Sequence, residues 1–194
     1  MSQFSVYFQL GLEHILDLNG YDHMLFIIAL CAVFSLSDWS RILILVTAFT
    51  IGHSITLALS TLDIIVINSD IIEFAIPLTI FITAFSNIYR RERPIRLRPI
   101  RINYFYAAFF GLIHGLGFSN YLKALLGKKS DIVVQLLAFN LGLELGQLIV
   151  VLVFLTISSI MINLFNVYRR DWMLIISSGV AGIALMLVFA ARFW

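Results

Sequence analysis

The chain has 194 residues, 61% of them hydrophobic and 12% charged, with a formal net charge of +2 at neutral pH. Soluble domains are about half apolar and about a quarter charged, so the composition excludes an ordinary water-soluble globule, and the small net charge argues against a nucleic-acid partner. The single cysteine, Cys31, excludes a disulfide within the chain.

Read in chain order, the first piece is short. Phe4, Phe8, Leu12 and Leu16 recur at helical spacing, and Asp17-Leu18-Asn19-Gly20 ends the run. Asp, Asn and Gly together break helices, so Phe4 to Leu16 reads as an interfacial or half-inserted helix. It has no basic region before an apolar stretch and no small-residue cleavage site, so no cleaved signal peptide is expected. Six apolar runs follow, at 20–37, 42–62, 71–88, 104–126, 132–164 and 172–193. Each approaches or exceeds the roughly 20 residues a spanning helix needs; the fifth is long enough to require tilt. The expected fold is an all-α membrane protein, a single transmembrane domain over 1–194 with about six transmembrane helices.

Basic residues suggest an orientation. Arg90, Arg91, Arg93, Arg96, Arg98 and Arg101 crowd the 89–103 loop, which the positive-inside tendency places in the cytoplasm. Alternation then puts Arg41, Arg169 and Arg170 inside, leaves Lys123, Lys128, Lys129 and Arg192 outside, and points the N-terminus outward.

The scarce ionisable groups carry the functional signal, because such groups are costly inside hydrocarbon. All four histidines, His14, His23, His53 and His114, lie in or beside apolar segments, as do Asp22 and Glu144, while Glu73 begins the third run. At 1.5 Å per residue, His53 and His114 fall roughly 15 Å and Glu144 roughly 18 Å from the outer ends of their spans, with His23 and Asp22 only roughly 5 Å deep. The deep three therefore share a level near mid-membrane, with His23 and Asp22 above them. Gly111 and Gly115 flank His114, and Gly142 and Gly146 flank Glu144; small residues at that spacing let helices approach closely. Thr50 and Ser54 beside His53, and Asn140 and Gln147 on the face of Glu144, are candidates for orienting imidazoles. Imidazole with carboxylate suits zinc, nickel, copper or iron better than calcium or magnesium. A site built from His23, His53, His114, Glu144, Asp22 and His14 is thus expected to handle a divalent transition-metal ion.

These residues sit in recurring phrases: Gly-Leu-Glu-His-Ile-Leu-Asp at 11–17, Gly-Tyr-Asp-His-Met-Leu-Phe at 20–26, Phe-Thr-Ile-Gly-His-Ser-Ile-Thr-Leu at 49–57, Phe-Gly-Leu-Ile-His-Gly-Leu-Gly-Phe at 110–118 and Phe-Asn-Leu-Gly-Leu-Glu-Leu-Gly-Gln at 139–147. In that series the chain resembles the HupE/UreJ family of small membrane proteins. The resemblance implies a six-helix permease-like protein of the bacterial inner membrane, linked with nickel or a similar divalent ion, with ligand roles on the same six residues.

Two functions compete. A permease would pass the ion inward along the His/carboxylate ladder. A zinc-dependent intramembrane hydrolase acting on a lipid-like substrate would hold zinc on three histidines, with Asp22 or Glu144 as general base and Ser54 orienting substrate. Below the histidines the sequence offers mainly apolar residues plus Thr83, Ser86 and Asn87, which reads as a dry inner half. The bilayer and the ion are the expected partners, and a homo-oligomer is compatible with the composition.

Overall fold

The computed structural model describes residues 2–18, 20–89, 100–126 and 132–193. Every regular element among them is helical: α1 (Gln3–Leu16), α2 (Asp22–Cys31), a 3-10 turn (Leu36–Asp38), α3 (Trp39–Thr61), α4 (Ser69–Tyr89), α5 (Ile100–Leu126), α6 (Ile132–Asn163) and α7 (Arg169–Ala190). The arginine-rich segment 90–99, with Lys128 and Lys129, lies outside the described residues.

Four helical stretches among the described residues are long and apolar enough to cross a membrane: Leu36–Thr61, Ser69–Tyr89, Ile132–Asn163 and Arg169–Ala190. That is fewer than the six expected. The first expected span is where they differ most: only Asp22–Cys31 is α-helical there, about 15 Å of helix. The surface agrees with a bilayer. On α6 alone Val133, Leu137, Leu141, Leu145, Leu152, Val153 and Ile160 are exposed, an apolar strip that water would oppose and lipid accepts.

Helix ends use local chemistry. Ser2 caps α1 by accepting the Ser5 N–H at 3.2 Å. Asn68 caps α4, its Oδ1 accepting the Asp70 N–H at 2.9 Å. Asp63 follows α3 with φ 57°, and the Ile64 N–H returns to the Leu59 carbonyl at 2.9 Å, a left-handed helix stop.

Two glycine-lined helix pairs make the scaffold. Between α3 and α5, a Cβ on Gly52 would strike the Ala108 carbonyl, one on Gly111 the Phe49 carbonyl, and one on Gly115 the His53 carbonyl. Between α1 and α6, a Cβ on Gly11 would strike the Phe139 carbonyl and one on Gly142 the Phe8 carbonyl, while one on Gly146 would crowd Ile15 and the Leu12 carbonyl. Both pairs are parallel, since contacts advance together along the two chains. They also share one register: Phe8, Gly11 and Leu12 stand where Phe49, Gly52 and His53 stand, and Phe139, Gly142, Leu143 and Gly146 stand where Ala108, Gly111, Leu112 and Gly115 stand.

The two pairs run in opposite directions. The end of the bundle where α4 stops and α5 starts is here called basal, the other apical. α3 starts basally because it parallels α5. The Arg169 guanidinium, at the head of α7, donates to the Val33 carbonyl at 3.0 Å and lies 3.6 Å from Asp38 at the head of α3. The Trp172 indole N–H donates to Ser158 Oγ at 2.9 Å, so α6 finishes basally. α3 and α5 therefore run from base to apex, and α6 with α1 from apex to base. One contact pattern is thus used twice, in opposite directions, with the α3–α5 pair nested in the chain between α1 and α6.

Candidate metal site

α1 and α2 advance in the same sense, with the chain broken between them. α2 ends basally: the Asn87 side-chain amide, near the end of α4, donates to its Ala29 carbonyl at 2.7 Å. His14 lies in the last turn of α1 and His23 in the first turn of α2. The Asp-Leu-Asn-Gly punctuation expected to stop a helix thus puts one imidazole on each side of a break.

The four histidines, from α1, α2, α3 and α5, converge there. Ring centroids are 4.6 Å apart for His14 and His23, 6.2 Å for His14 and His53, 5.8 Å for His23 and His53, and 5.1 Å for His23 and His114. A metal–nitrogen bond of about 2.0–2.1 Å places an ion about 3.2 Å from each ring centre, so two rings sharing an ion have centroids about 5 Å apart at a tetrahedral angle and at most about 6.4 Å apart. All four separations satisfy that limit. As the side chains stand, no three His, Cys, Asp or Glu groups among the described residues form a set that could hold an ion.

His23, His53 and His114 are 6%, 0% and 1% exposed. His14 Nε2, His23 Nε2, both nitrogens of His53 and His114 Nδ1 are buried without a hydrogen-bond partner. Each such group costs roughly 1–3 kcal/mol relative to a satisfied one, and five of them lie around one centre.

One hydroxyl fixes a tautomer. Thr79 Oγ1 lies 2.7 Å from the Ile76 carbonyl and 3.2 Å from His114 Nε2. Its single hydrogen goes to the carbonyl, which can only accept, so it must accept from His114 Nε2–H. The lone pair is then left on Nδ1, the nitrogen without a partner. Such outer partners typically contribute 10- to 100-fold to metal affinity. Thr79→Val should accordingly weaken Ni2+ binding by about that factor in equilibrium dialysis; affinity unchanged in that variant would remove Thr79 from the site.

Several expected partners lie elsewhere. Ser54 Oγ donates to the Thr50 carbonyl of its own helix at 2.6 Å, and Thr50 Oγ1 lies 3.1 Å from Val46 O and 2.8 Å from Gln147 Oε1, with one hydrogen between the two acceptors. Helical Ser and Thr readily bond back to the preceding turn, and neither bonds an imidazole of His53, whose nitrogens have no partner. Glu144 Oε1 accepts from Thr47 Oγ1 at 2.8 Å, and Thr47 lies about 9 Å along α3 from His53. Asp22 lines an apical cavity of about 330 Å³ with Glu73 and Pro77. His23, expected above the deep pair, is level with it because α2 begins inside the bundle. Thr79 and Thr47 were not singled out from the sequence; Thr79 shares a helix face with Thr83, Ser86 and Asn87, and that polar stripe was the available signal.

The family model described as HupE / UreJ protein matches residues 1–192, nearly the whole chain. The chain belongs to the HupE/UreJ family. No curated protein and no solved structure matches it. For this HupE/UreJ protein, the resemblance carried by the histidine and glycine phrases is thus extended over both helix pairs, and its helices are those of an integral membrane protein.

Proposed function

We propose that this protein is a membrane permease for a divalent transition-metal ion of nickel type, passing the ion through the four-histidine centre. The observation that carries the reading is the convergence of His14, His23, His53 and His114 from four helices with five buried ring nitrogens lacking partners.

The scaffold supports transport over hydrolysis. Helices broken at a binding site within the membrane recur in secondary transporters; here the α1–α2 break lies at the histidines, between two oppositely directed glycine pairs. Asp22 and Glu73 line the 330 Å³ apical cavity, and Glu73 also lines a neighbouring cavity of about 270 Å³ with Ser60, Ser119 and Lys123. Two carboxylates at that end would gather a cation before it meets the imidazoles. Asp22 is then an entrance residue, and Glu144 on the α3–α6 seam a candidate for the coupled proton. In this reading the apical end faces outward and the 89–103 loop the cytoplasm, in a bacterial inner membrane.

The test is uptake into proteoliposomes holding a trapped Ni2+ indicator. The expected result is saturable Ni2+ entry well above protein-free vesicles, competed by Co2+ or Zn2+. Absence of flux, with stoichiometric zinc that survives dialysis, overturns the permease and fits the zinc-dependent hydrolase.

A further inference from the structure

The inner half, read from the sequence as dry, holds a cavity of mixed polar and apolar lining. About 240 Å³ of space opens at the basal end between α2, α4 and α5, lined by Thr83, Ser86, Asn87, Asn103, Tyr106 and Phe110 among others. At roughly 30 Å³ per water this is room for about eight, enough for an ion with its hydration shell.

The cavity is joined to the histidine centre by one face of α4. Thr79 touches His114 Nε2 at 3.2 Å, and Thr83 Oγ1 donates to the Thr79 carbonyl at 2.8 Å. Residues four and seven or eight apart share a helix face, so Thr79, Thr83, Ser86 and Asn87 form a stripe descending from the imidazole into the cavity. Beside it stands an aromatic closure. Phe26, 1% exposed, has its ring centroid 5.4 Å from that of His114 and 5.9 Å from that of Phe110, which itself lines the cavity. Phe49 backs Phe26 at 5.0 Å.

We propose that this cavity is the basal vestibule of the permeation route, where a divalent cation leaving His114 is rehydrated, and that the Phe26–Phe110 contact is its gate. The inference rests on the permease reading. Its polar side chains are hydroxyls and amides, without imidazole, thiolate or carboxylate. Such groups are weaker ligands for a transition metal than imidazole, and conduction needs a site the ion can leave. An apolar constriction between two wet regions closes by excluding water.

The experiment uses the full chain in proteoliposomes and Ni2+ itself. Ser86→Cys is treated after folding with a bulky cationic methanethiosulfonate. The unsubstituted protein is the control, because Cys31 is fully buried. Labelling is expected to cut Ni2+ flux at least tenfold while Ni2+ affinity, measured by equilibrium dialysis, stays within twofold. Phe110→Ala is expected to raise flux severalfold at unchanged affinity. If the unsubstituted protein carries Ni2+ but Ser86→Cys fails to label, or labels without loss of flux, the vestibule is overturned and the permease stands; unchanged flux in Phe110→Ala overturns the gate. An unsubstituted protein that carries no Ni2+ overturns the permease reading, and the vestibule with it.

Discussion

Alanine at His53 is expected to lower Ni2+ affinity by more than 100-fold while the helices stay assembled. His53 is fully buried, its ring lies within 6.2 Å of those of His14 and His23, and neither of its nitrogens has a hydrogen-bond partner. Loss of an outer partner already costs 10- to 100-fold in affinity; loss of a ligand costs more. Folding should suffer less than for an ordinary core deletion. The cavity left behind is destabilising, but the same change removes two unsatisfied buried nitrogens, each of which costs about 1–3 kcal/mol. His114→Ala should behave likewise, with the added release of Thr79. Equilibrium dialysis in detergent measures the affinity, and far-UV circular dichroism with gel filtration reports the fold. The sign of the pH effect follows from competition: protons and metal seek the same lone pairs, so affinity in the unsubstituted protein falls as pH falls. Both variants binding Ni2+ as the unsubstituted protein does would end the case for an imidazole site.

How far this centre was legible depends on what sequence periodicity encodes. Helix positions follow from apolar runs, and the expected segments 42–62, 71–88 and 132–164 lie within a few residues of α3, α4 and α6. Depth arithmetic sets His53 and His114 level, and they are level, since Gly115 packs on the His53 carbonyl itself. It fails for His23, because counting from a membrane surface assumes the helix starts there, whereas α2 starts after an internal break. It is incomplete for Glu144, because depth says nothing of direction around the helix; the side chain meets Thr47 instead. The glycines announced close approach without naming partners. Which helices pair is a long-range fact, and the shared pattern is hidden because the histidines are not repeated in it: Leu12 stands where His53 does, and Leu145 where His114 does. The basal cavity was missed because Thr83, Ser86 and Asn87 read as isolated polar residues until α5 supplies Asn103 and Tyr106 opposite them.

The shared contact pattern makes a paired prediction. Gly111→Ala and Gly142→Ala should each disrupt the folded protein, and by similar amounts. In both, the new Cβ meets a backbone carbonyl, of Phe49 or Phe8, rather than the movable end of a side chain. Relief requires one helix to move off its partner. Forcing a methyl into a packed core costs about 1–3 kcal/mol, sometimes more, and a backbone obstacle belongs at the upper end of that range. Gly179→Ala and Gly182→Ala are the controls: a Cβ at either position meets nothing within 4 Å, and exchanging helical Gly for Ala favours the helix by up to about 1 kcal/mol. Thermal unfolding in detergent, followed by loss of the monodisperse gel-filtration peak, should separate the two classes cleanly. Unfolding of Gly111→Ala beside an intact Gly142→Ala would break the equivalence of the two helix pairs. With it would go the reading of the two glycine pairs as one scaffold device, leaving the histidine centre to be judged on the α1–α2 break and its nitrogens.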